Sequence, residues 1–321
     1  MSYPRVLITT YHQAFLVKGG GEHEMFSIAA ALKEQGLIAD KYGPYSRSIE
    51  NYDAILHFSV HGGGLELLEY ANQYHKPIFL WPNVWLTEKD LGSLDMIARF
   101  VEISHRLLFK SQSEVDNFCT YFPDVSDKCH LISVGADPSY LQRSTPDLFS
   151  TLQGEDNYAI WFGIIEPNKN QLNAVRAMKG TGTKLVLVGN CRDQEYLDRC
   201  VDEGGDDLVV LPSLPYRSEL VRSALSGAKF YIEVGHEPPG LSAIEAGLSG
   251  CNLVLSDSSW SREHFGFHAI LVDPNDIISI KNGIERALTC VSETTDLVCS
   301  LRKYCLPDSI SPLLEMLEDT V

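Results

Sequence analysis

Positive charge is scarce in this sequence: 26 lysines and arginines stand against 43 aspartates and glutamates, a formal net charge of -17 over 321 residues. That balance argues against a nucleic-acid partner, which leaves a basic footprint, and offers no polybasic surface for a membrane. Long hydrophobic runs are missing as well. No stretch approaches the ~18 apolar residues that a spanning helix needs, so no transmembrane segment is expected. The opening "MSYPRVLITTYHQ" carries Pro4 and Arg5 before a run of strand length, unlike a secretory leader. The eight cysteines (Cys119, Cys129, Cys191, Cys200, Cys251, Cys290, Cys299 and Cys305) form no CxxC and no Cys/His cluster. Free, mostly buried thiols in a reducing compartment follow, and the chain reads as soluble and cytoplasmic.

Several catalytic signatures are absent too. The ten histidines are dispersed and no HExxH occurs, so no zinc site is expected. No Asp-x-Asp is present to clamp a metal on a nucleotide diphosphate. "HGGG" at 61–64 is like the oxyanion-hole motif of lipases, but the required G-x-S-x-G elbow is missing, and a turn explains it better. "GGGEHE" at 19–24 follows a strand and precedes a helix, yet is neither GxGxxG nor a P-loop. Its glycines let backbone N–H groups approach an anion; a tight turn without a ligand explains them equally well. Asp193 and Glu195 suit the start of a helix rather than a metal.

What is present is alternation. Short apolar runs trade with helical stretches: "RVLITT", "DAILHFSV", "PIFLW", "RLLFKS" and "HLISVG" in the first half, with "MFSIAAALKEQG", "GLELLEYANQYH" and "SEVDNFCTYF" between them. Residues 136–156 are polar, carry two prolines and read as a linker. The rhythm then restarts with "YAIWFG", "KLVLVG", "DLVVLP", "FYIEV", "NLVLS" and "AILVD", a variable turn separating the last two. Such alternation implies parallel βαβ units. The length suits two domains, so the fold class is α/β: two Rossmann-like domains, with parallel sheets facing a central cleft. The expected boundaries are 1–150 and 151–307, with a final helix at 308–321 packing back on the first domain.

Ligands of open parallel sheets lie beyond the carboxyl ends of the strands. The stretch "YIEVGHEPPGLSAIEAGLSGCNLVLSD", residues 231–257, is the most informative there. Its first strand delivers Glu237 to the sheet edge. Pro239 and Gly240 shape a turn whose N–H groups, with those of Leu241 and Ser242, make a helix N-terminus suited to phosphate. Glu245 lies about one turn into that helix. An ionised carboxylate accepts both hydrogens of a vicinal diol such as ribose. A helix N-terminus carrying dipole-compensating acids explains Glu245 without a ligand, but it leaves Glu237 unexplained. In "GIIEPNKNQLNAV", 163–175, Lys169 stands where a strand end meets a helix, and a compact ammonium there can meet phosphate.

Glu237-Pro-Pro-Gly-Leu-Ser-Ala-Ile-Glu245 resembles the E-x7-E motif of the GT-B glycosyltransferases, specifically the retaining family four. "GGGEHE" is similar to that family's Gly-Gly-x-Glu loop and "GIIEPNKNQ" to its Gly-Arg-x-x-x-x-Lys loop. "KLVLVGN", "LPYRSELVRSA" and "FKSQSEVDNF" fall in the family's order. The resemblance spans nearly the whole chain. It implies a glycosyltransferase that moves a sugar from a nucleotide-diphosphate-sugar donor to an acceptor with retention and without a metal, in polysaccharide or glycoconjugate biosynthesis.

By resemblance, Gly20 and Gly21 approach the donor phosphate, Lys169 binds the diphosphate, and the Gly240 and Leu241 amides hold phosphate and sugar hydroxyls. Glu237 contacts the transferred sugar and, with Lys169, carries the catalytic expectation. Glu245 takes the ribose, the base lies near Leu214 to Tyr216, and Gly163 and Asn190 complete the donor set. The first domain takes the acceptor, a saccharide, a lipid-linked molecule or another small acceptor. Neither metal nor cofactor is implied. Two positions depart from the family: Ile164 replaces its arginine, and Asn83 its histidine. Arg192 or Arg217 is expected to supply the missing charge. A nucleotide-sugar epimerase and a non-catalytic nucleotide-sugar-binding protein are the alternative readings.

Overall fold

A computed structural model of the chain describes residues 4–16, 20–145, 147–289 and 294–320. Of the positions read above, Gly19, Pro146, Cys290 and the flanking residues 1–3, 17–18, 291 and 321 lie outside these. Two compact units result: Met1–Gly135 with Tyr304–Val321, and Ala136–Lys303.

The first unit runs β1 (Arg5–Thr9), α1 (Gly20–Glu34), β2 (Ile38–Lys41), β3 (Ala54–Phe58), α2 (Leu65–Gln73), β4 (Ile78–Trp81), α3 (Leu94–Ile103), β5 (Arg106–Phe109), α4 (Gln112–Tyr121) and β6 (Cys129–Leu131). Its six strands are parallel, in the order β2-β1-β3-β4-β5-β6. β3 and β4 are buried at every residue, as strands covered on both faces must be, which is why they read as unbroken apolar runs. Side chains alternate between the faces: Val6 and Ile8 of β1 join one core with Ile28 and Leu32 of α1. Leu7 joins the other with Leu68 of α2, Phe100 of α3 and Phe118 of α4.

The second unit contains α5 (Leu148–Gln153), β7 (Tyr158–Phe162), α6 (Gln171–Met178), β8 (Lys184–Val188), α7 (Gln194–Gly204), β9 (Leu208–Leu211), α8 (Glu219–Gly227) and β10 (Tyr231–Glu233). It continues with α9 (Leu241–Leu248), β11 (Leu253–Ser256), α10 (Ser259–Phe265), β12 (Ile270–Val272), α11 (Ile277–Thr289) and α12 (Thr295–Leu301). Its parallel sheet is ordered β12-β11-β10-β7-β8-β9. After it, α13 (Ser311–Glu318) returns to the first unit, where Leu306, Ile310, Leu313 and Leu317 enter the core beside α1.

Strand order locates the switch points, where successive strands add to opposite sides and leave a crevice at their carboxyl ends. In the first unit the switch lies between β1 and β3; in the second it lies between β7 and β10. The loops after β7 and β10 are the two carrying Lys169 and Glu237.

Several expectations are corrected. "GGGEHE" is largely not a loop, because Gly20 to Glu24 already form the first turns of α1, with Glu22 at its favourable positive end. The polar stretch 136–156 is not a free linker. Asp137 caps a helical turn at Pro138–Leu141, and α5 buries Phe149 against Tyr158 at a ring distance of 5.1 Å. The units accordingly divide at Gly135, ahead of the boundary expected at 150. The variable turn before "AILVD" is mostly α10, capped by Ser258 and packed through Trp260 and Phe265. β2, α3 and α12 went unread. As expected, Asp193 starts a helix: its carboxylate accepts from the Tyr196 N–H at 2.9 Å and caps α7.

Burial fixes the charge state of one residue of the first unit. His57 on β3 is wholly enclosed, its Nδ1 lies 2.7 Å from the Thr9 hydroxyl, and its ring stacks on Phe100. Enclosure pushes its pKa down to about 3. The unfolded chain binds a proton below its ordinary 6.5 that the folded chain refuses. The stabilisation is therefore complete above pH 6.5 and is lost as pH falls toward about 3. His57→Gln should remove up to about 1.4 kcal/mol per pH unit from the acid-side loss of stability, read from hydrogen exchange of the β3 amides. Identical slopes in the two proteins would contradict a neutral buried imidazole.

Candidate active site

The loops after β7 and β10 are held together by backbone and amide bonds. Asn170, in the left-handed conformation at φ 60°, donates from Nδ2 to the Val234 carbonyl at 2.9 Å and to the Pro274 carbonyl at 2.8 Å. The His236 N–H donates to the Asn168 carbonyl at 3.1 Å. The first loop is also zipped to the loop after β8: Gly163 N–H to Val188, Ile165 N–H to Asn190 and Arg192 N–H to Ile165, at 3.0, 2.9 and 3.1 Å. This closeness requires glycine at 189, where an added Cβ would lie 1.9 Å from the Gly163 carbonyl oxygen.

On this platform Lys169 and Glu237 meet, Nζ to Oε2 at 3.4 Å, both partly exposed. The Pro238–Gly240 turn follows, then α9, whose first N–H groups have no side-chain cap at Gly240. Glu245 lies just past the first turn of α9 and is buried. It accepts from the Tyr216 hydroxyl at 2.8 Å. Tyr140 lies beside both, and burial first, then Glu245 and Tyr216, push its phenol pKa far up.

One carboxylate here escaped the sequence reading. Glu233, last residue of β10, is buried beneath the turn. It accepts from the Tyr231 hydroxyl at 2.7 Å, the Ser242 hydroxyl at 3.3 Å and the backbone N–H of Gly240. Burial raises its pKa; the Lys169 charge and these donors work the other way without cancelling it. An acid in the apolar "FYIEV" was the available signal. Tyr140 and Asn170 were missed too, the first because its segment looked like a linker.

The expected residues thus divide. Lys169, Glu237, Gly240, Leu241, Glu245 and Tyr216 gather around α9 and the Gly235–Gly240 loop. Gly163 and Asn190 lie on the adjoining zipped loops, Asn190 exposed, and Leu214 on the half-buried loop leading to Tyr216. The Ile164 carbonyl accepts from Gln171 Nε2 at 2.8 Å, and its side chain brings no charge. Arg192 is engaged with Glu166 at 2.7 Å, and Arg217 with the buried Asp137. Among the described residues no group of three His, Cys, Asp or Glu side chains is placed to hold a metal ion, and no helix is long and apolar enough to cross a membrane. Cys119, Cys129, Cys191, Cys200, Cys251 and Cys299 carry free thiols.

Gly20 and Gly21 belong to the first unit. Gly20 is exposed with open space around it, whereas a Cβ on Gly21 would lie 2.7 Å from Asn83 Nδ2. Asn83, at the histidine position, accepts from Lys110 Nζ at 2.8 Å. Lys110 also faces Glu24 at 3.5 Å and Glu114 at 3.9 Å. Burial lowers its pKa, but the two carboxylates outweigh that and leave it raised.

Residues 147–299 match the family described as Glycosyl transferases group 1. With two parallel six-stranded α/β units, the chain is a glycosyltransferase of GT-B fold. Among solved structures it is similar to HepE of Anabaena in complex with UDP, at TM-score 0.77 and 14% identity, covering 98% of this chain and 100% of that one. It is similar to sucrose-phosphate synthase from Thermosynechococcus elongatus, with TM-score 0.73 and 17% identity over 99% and 95% of the two chains. A glycosyltransferase from Rickettsia africae matches at TM-score 0.78 and 12% identity over 100% and 99%. No curated protein sequence matches the chain.

The zipped loops make a direct prediction. Gly189→Ala should destabilise the second unit by about 1–3 kcal/mol, since backbone must move to admit the methyl group. Chemical unfolding checks this; an unchanged midpoint would mean that the Gly163 loop yields freely.

Proposed function

We propose that residues 136–303 bind a nucleotide-diphosphate sugar and that the enzyme transfers its sugar to an acceptor with retention of configuration, as in the retaining glycosyltransferase family four. The supporting observation is Glu245, a buried carboxylate set by the Tyr216 hydroxyl just behind a helix N-terminus. A ribose diol is the group such an acceptor-only pair of oxygens suits. That HepE, alike in fold, was solved with UDP and with UDP and glucose supports the same donor class.

In this reading the diphosphate meets the Lys169 ammonium and the amides of Gly240 and Leu241. The positive end of α9 adds a favourable field. The base lies along Leu214 to Tyr216, with Gly163 and Asn190 flanking the phosphates. Glu237 faces the sugar hydroxyls from the far side of the turn. Bond cleavage leaves negative charge on the diphosphate, and pre-oriented N–H donors and Lys169 stabilise it as it develops. Glu237 exchanges its ion pair with Lys169 for sugar hydroxyls, which orients the anomeric carbon. Transfer passes through an oxocarbenium-like transition state, so charge placement and alignment carry most of the rate. No metal is needed in this scheme. The first unit receives a saccharide, lipid-linked or other small acceptor. The setting is cytoplasmic, in polysaccharide or glycoconjugate synthesis.

Calorimetry with a panel of nucleotide sugars, followed by assays for transfer and donor hydrolysis, tests the reading. No binding by any of them would refute it, and binding without turnover on any acceptor would favour a carrier role. Glu245→Ala should weaken donor binding by about 10- to 100-fold, the loss of charged hydrogen bonds worth about 1.5–3 kcal/mol. Glu237→Ala should chiefly lower turnover and leave nucleoside diphosphate affinity within a few-fold. Equal and negligible effects of both substitutions would show that neither residue serves the donor.

A further inference from the structure

Glu233 stands in a position that the proposed donor chemistry does not explain. It is 4% exposed, and its oxygens accept from the Gly240 N–H, the same part of the turn that would face a diphosphate. A carboxylate there already occupies a donor meant for an anion. It also lies close enough to Lys169 for that ammonium to favour its ionised form.

Resting on the donor reading above, we propose that Glu233 is a proton-coupled positioning residue. Ionised, it holds the Pro238–Gly240 turn and Lys169 in place. When a nucleoside diphosphate docks at the N-terminus of α9, it takes up one proton from solvent.

The hydrogen-bond network accommodates both states. With Glu233 ionised, the single hydrogen of the Tyr231 hydroxyl points to it at 2.7 Å, and Ser242 donates to it at 3.3 Å. With Glu233 protonated, its new O–H donates to the Tyr231 oxygen. The tyrosine hydrogen then turns to the Phe162 carbonyl at 3.4 Å or to the Ser242 oxygen at 3.0 Å. Every hydrogen retains an acceptor, so protonation leaves no buried polar group stranded.

The surrounding charges set the direction. Tyr231 comes from its own strand, Ser242 and the Gly240 N–H from the start of α9, and Lys169 from the turn before α6. Glu237 stands on the other side of Lys169, and Glu245, further along α9, acts on Tyr231. A diphosphate at the turn brings like charge against Glu233 and competes for Lys169 and the Gly240 N–H. Each change disfavours the buried carboxylate and favours its acid. Burial alone already raises its pKa.

The test is titration of UDP, ADP and GDP into the full-length enzyme, in buffers of different ionisation enthalpy, between about pH 6 and pH 8. For the diphosphate that binds, the wild type should take up close to one proton more than Glu233→Gln does. Its affinity should fall up to about tenfold per pH unit relative to that variant. Because the ligand's own phosphate titrates equally with both proteins, the difference isolates Glu233. Glu233→Gln should bind at least as tightly as wild type at the alkaline end, which a merely structural role would not produce. Should that variant fold poorly, the wild-type proton count at about pH 8, where the ligand's phosphate is already ionised, decides alone: binding without proton uptake there overturns the inference and leaves the donor reading standing. Equal proton uptake by wild type and variant overturns it as well. If none of the three diphosphates binds the folded wild type, the donor reading falls and takes this inference with it.

Discussion

Tyr231 pairs with Ile160 across the middle of the second sheet, so β10 lies beside β7 although three helices and two strands separate them in the chain. This single adjacency forces the chain to leave β7 toward one side and β10 toward the other. Everything at the candidate site hangs from the two loops so created. Asn170 ties them from below through Val234 and Pro274, and Lys169 and Glu237 meet above. The candidate site therefore rests on loops tied to one another by hydrogen bonds at the sheet's edge.

For an acidic chain, the proposed anionic donor poses an electrostatic problem, and the second unit would have to answer it locally. Glu233 and Glu237 both interact with Lys169 near the start of α9, and Glu245 lies further along that helix. Two unit charges 4 Å apart interact by about 4 kcal/mol at a near-surface effective dielectric of ~20. The Lys169–Glu237 pair is thus strong enough to hold both side chains, and its partial exposure weakens it enough to be exchanged. In the proposed donor complex, backbone N–H groups would add attraction for phosphate, carrying no counter-charge and needing no reorganisation. Arg192 and Arg217 are each paired with a carboxylate, Glu166 and Asp137.

Much of this was legible because local chemistry and global fold agree. Alternating apolar runs and helical stretches gave the two parallel sheets, and glutamates spaced either side of a Pro-Pro-Gly turn gave Glu237 and Glu245. What stayed hidden depends on three-dimensional neighbours. Glu233 looks like part of a core strand because the strand is apolar and only the turn above makes its carboxylate useful. Tyr140 hid in a polar, proline-bearing stretch whose anchoring, Asp137 with Arg217 and Phe149 with Tyr158, is tertiary. Asn170 acts through amide bonds to residues 64 and 104 positions away in sequence, which no local pattern encodes. β2 is short and half polar, and α3 sits behind a 3-10 stretch that blurs its period.

The two units place a lysine at the carboxyl edge of a parallel sheet in physically different states. Lys110 follows β5 directly, is largely buried, and is committed to Glu24, Glu114 and the Asn83 amide oxygen. Removing either carboxylate would leave a buried charge short of partners, a loss on the order of 3–5 kcal/mol. Lys169 is more open and has the partly exposed Glu237 as its ion-pair partner, so its charge can be redirected at smaller cost. An arriving anion would gain little from Lys110, whose field is already cancelled nearby, and more from Lys169.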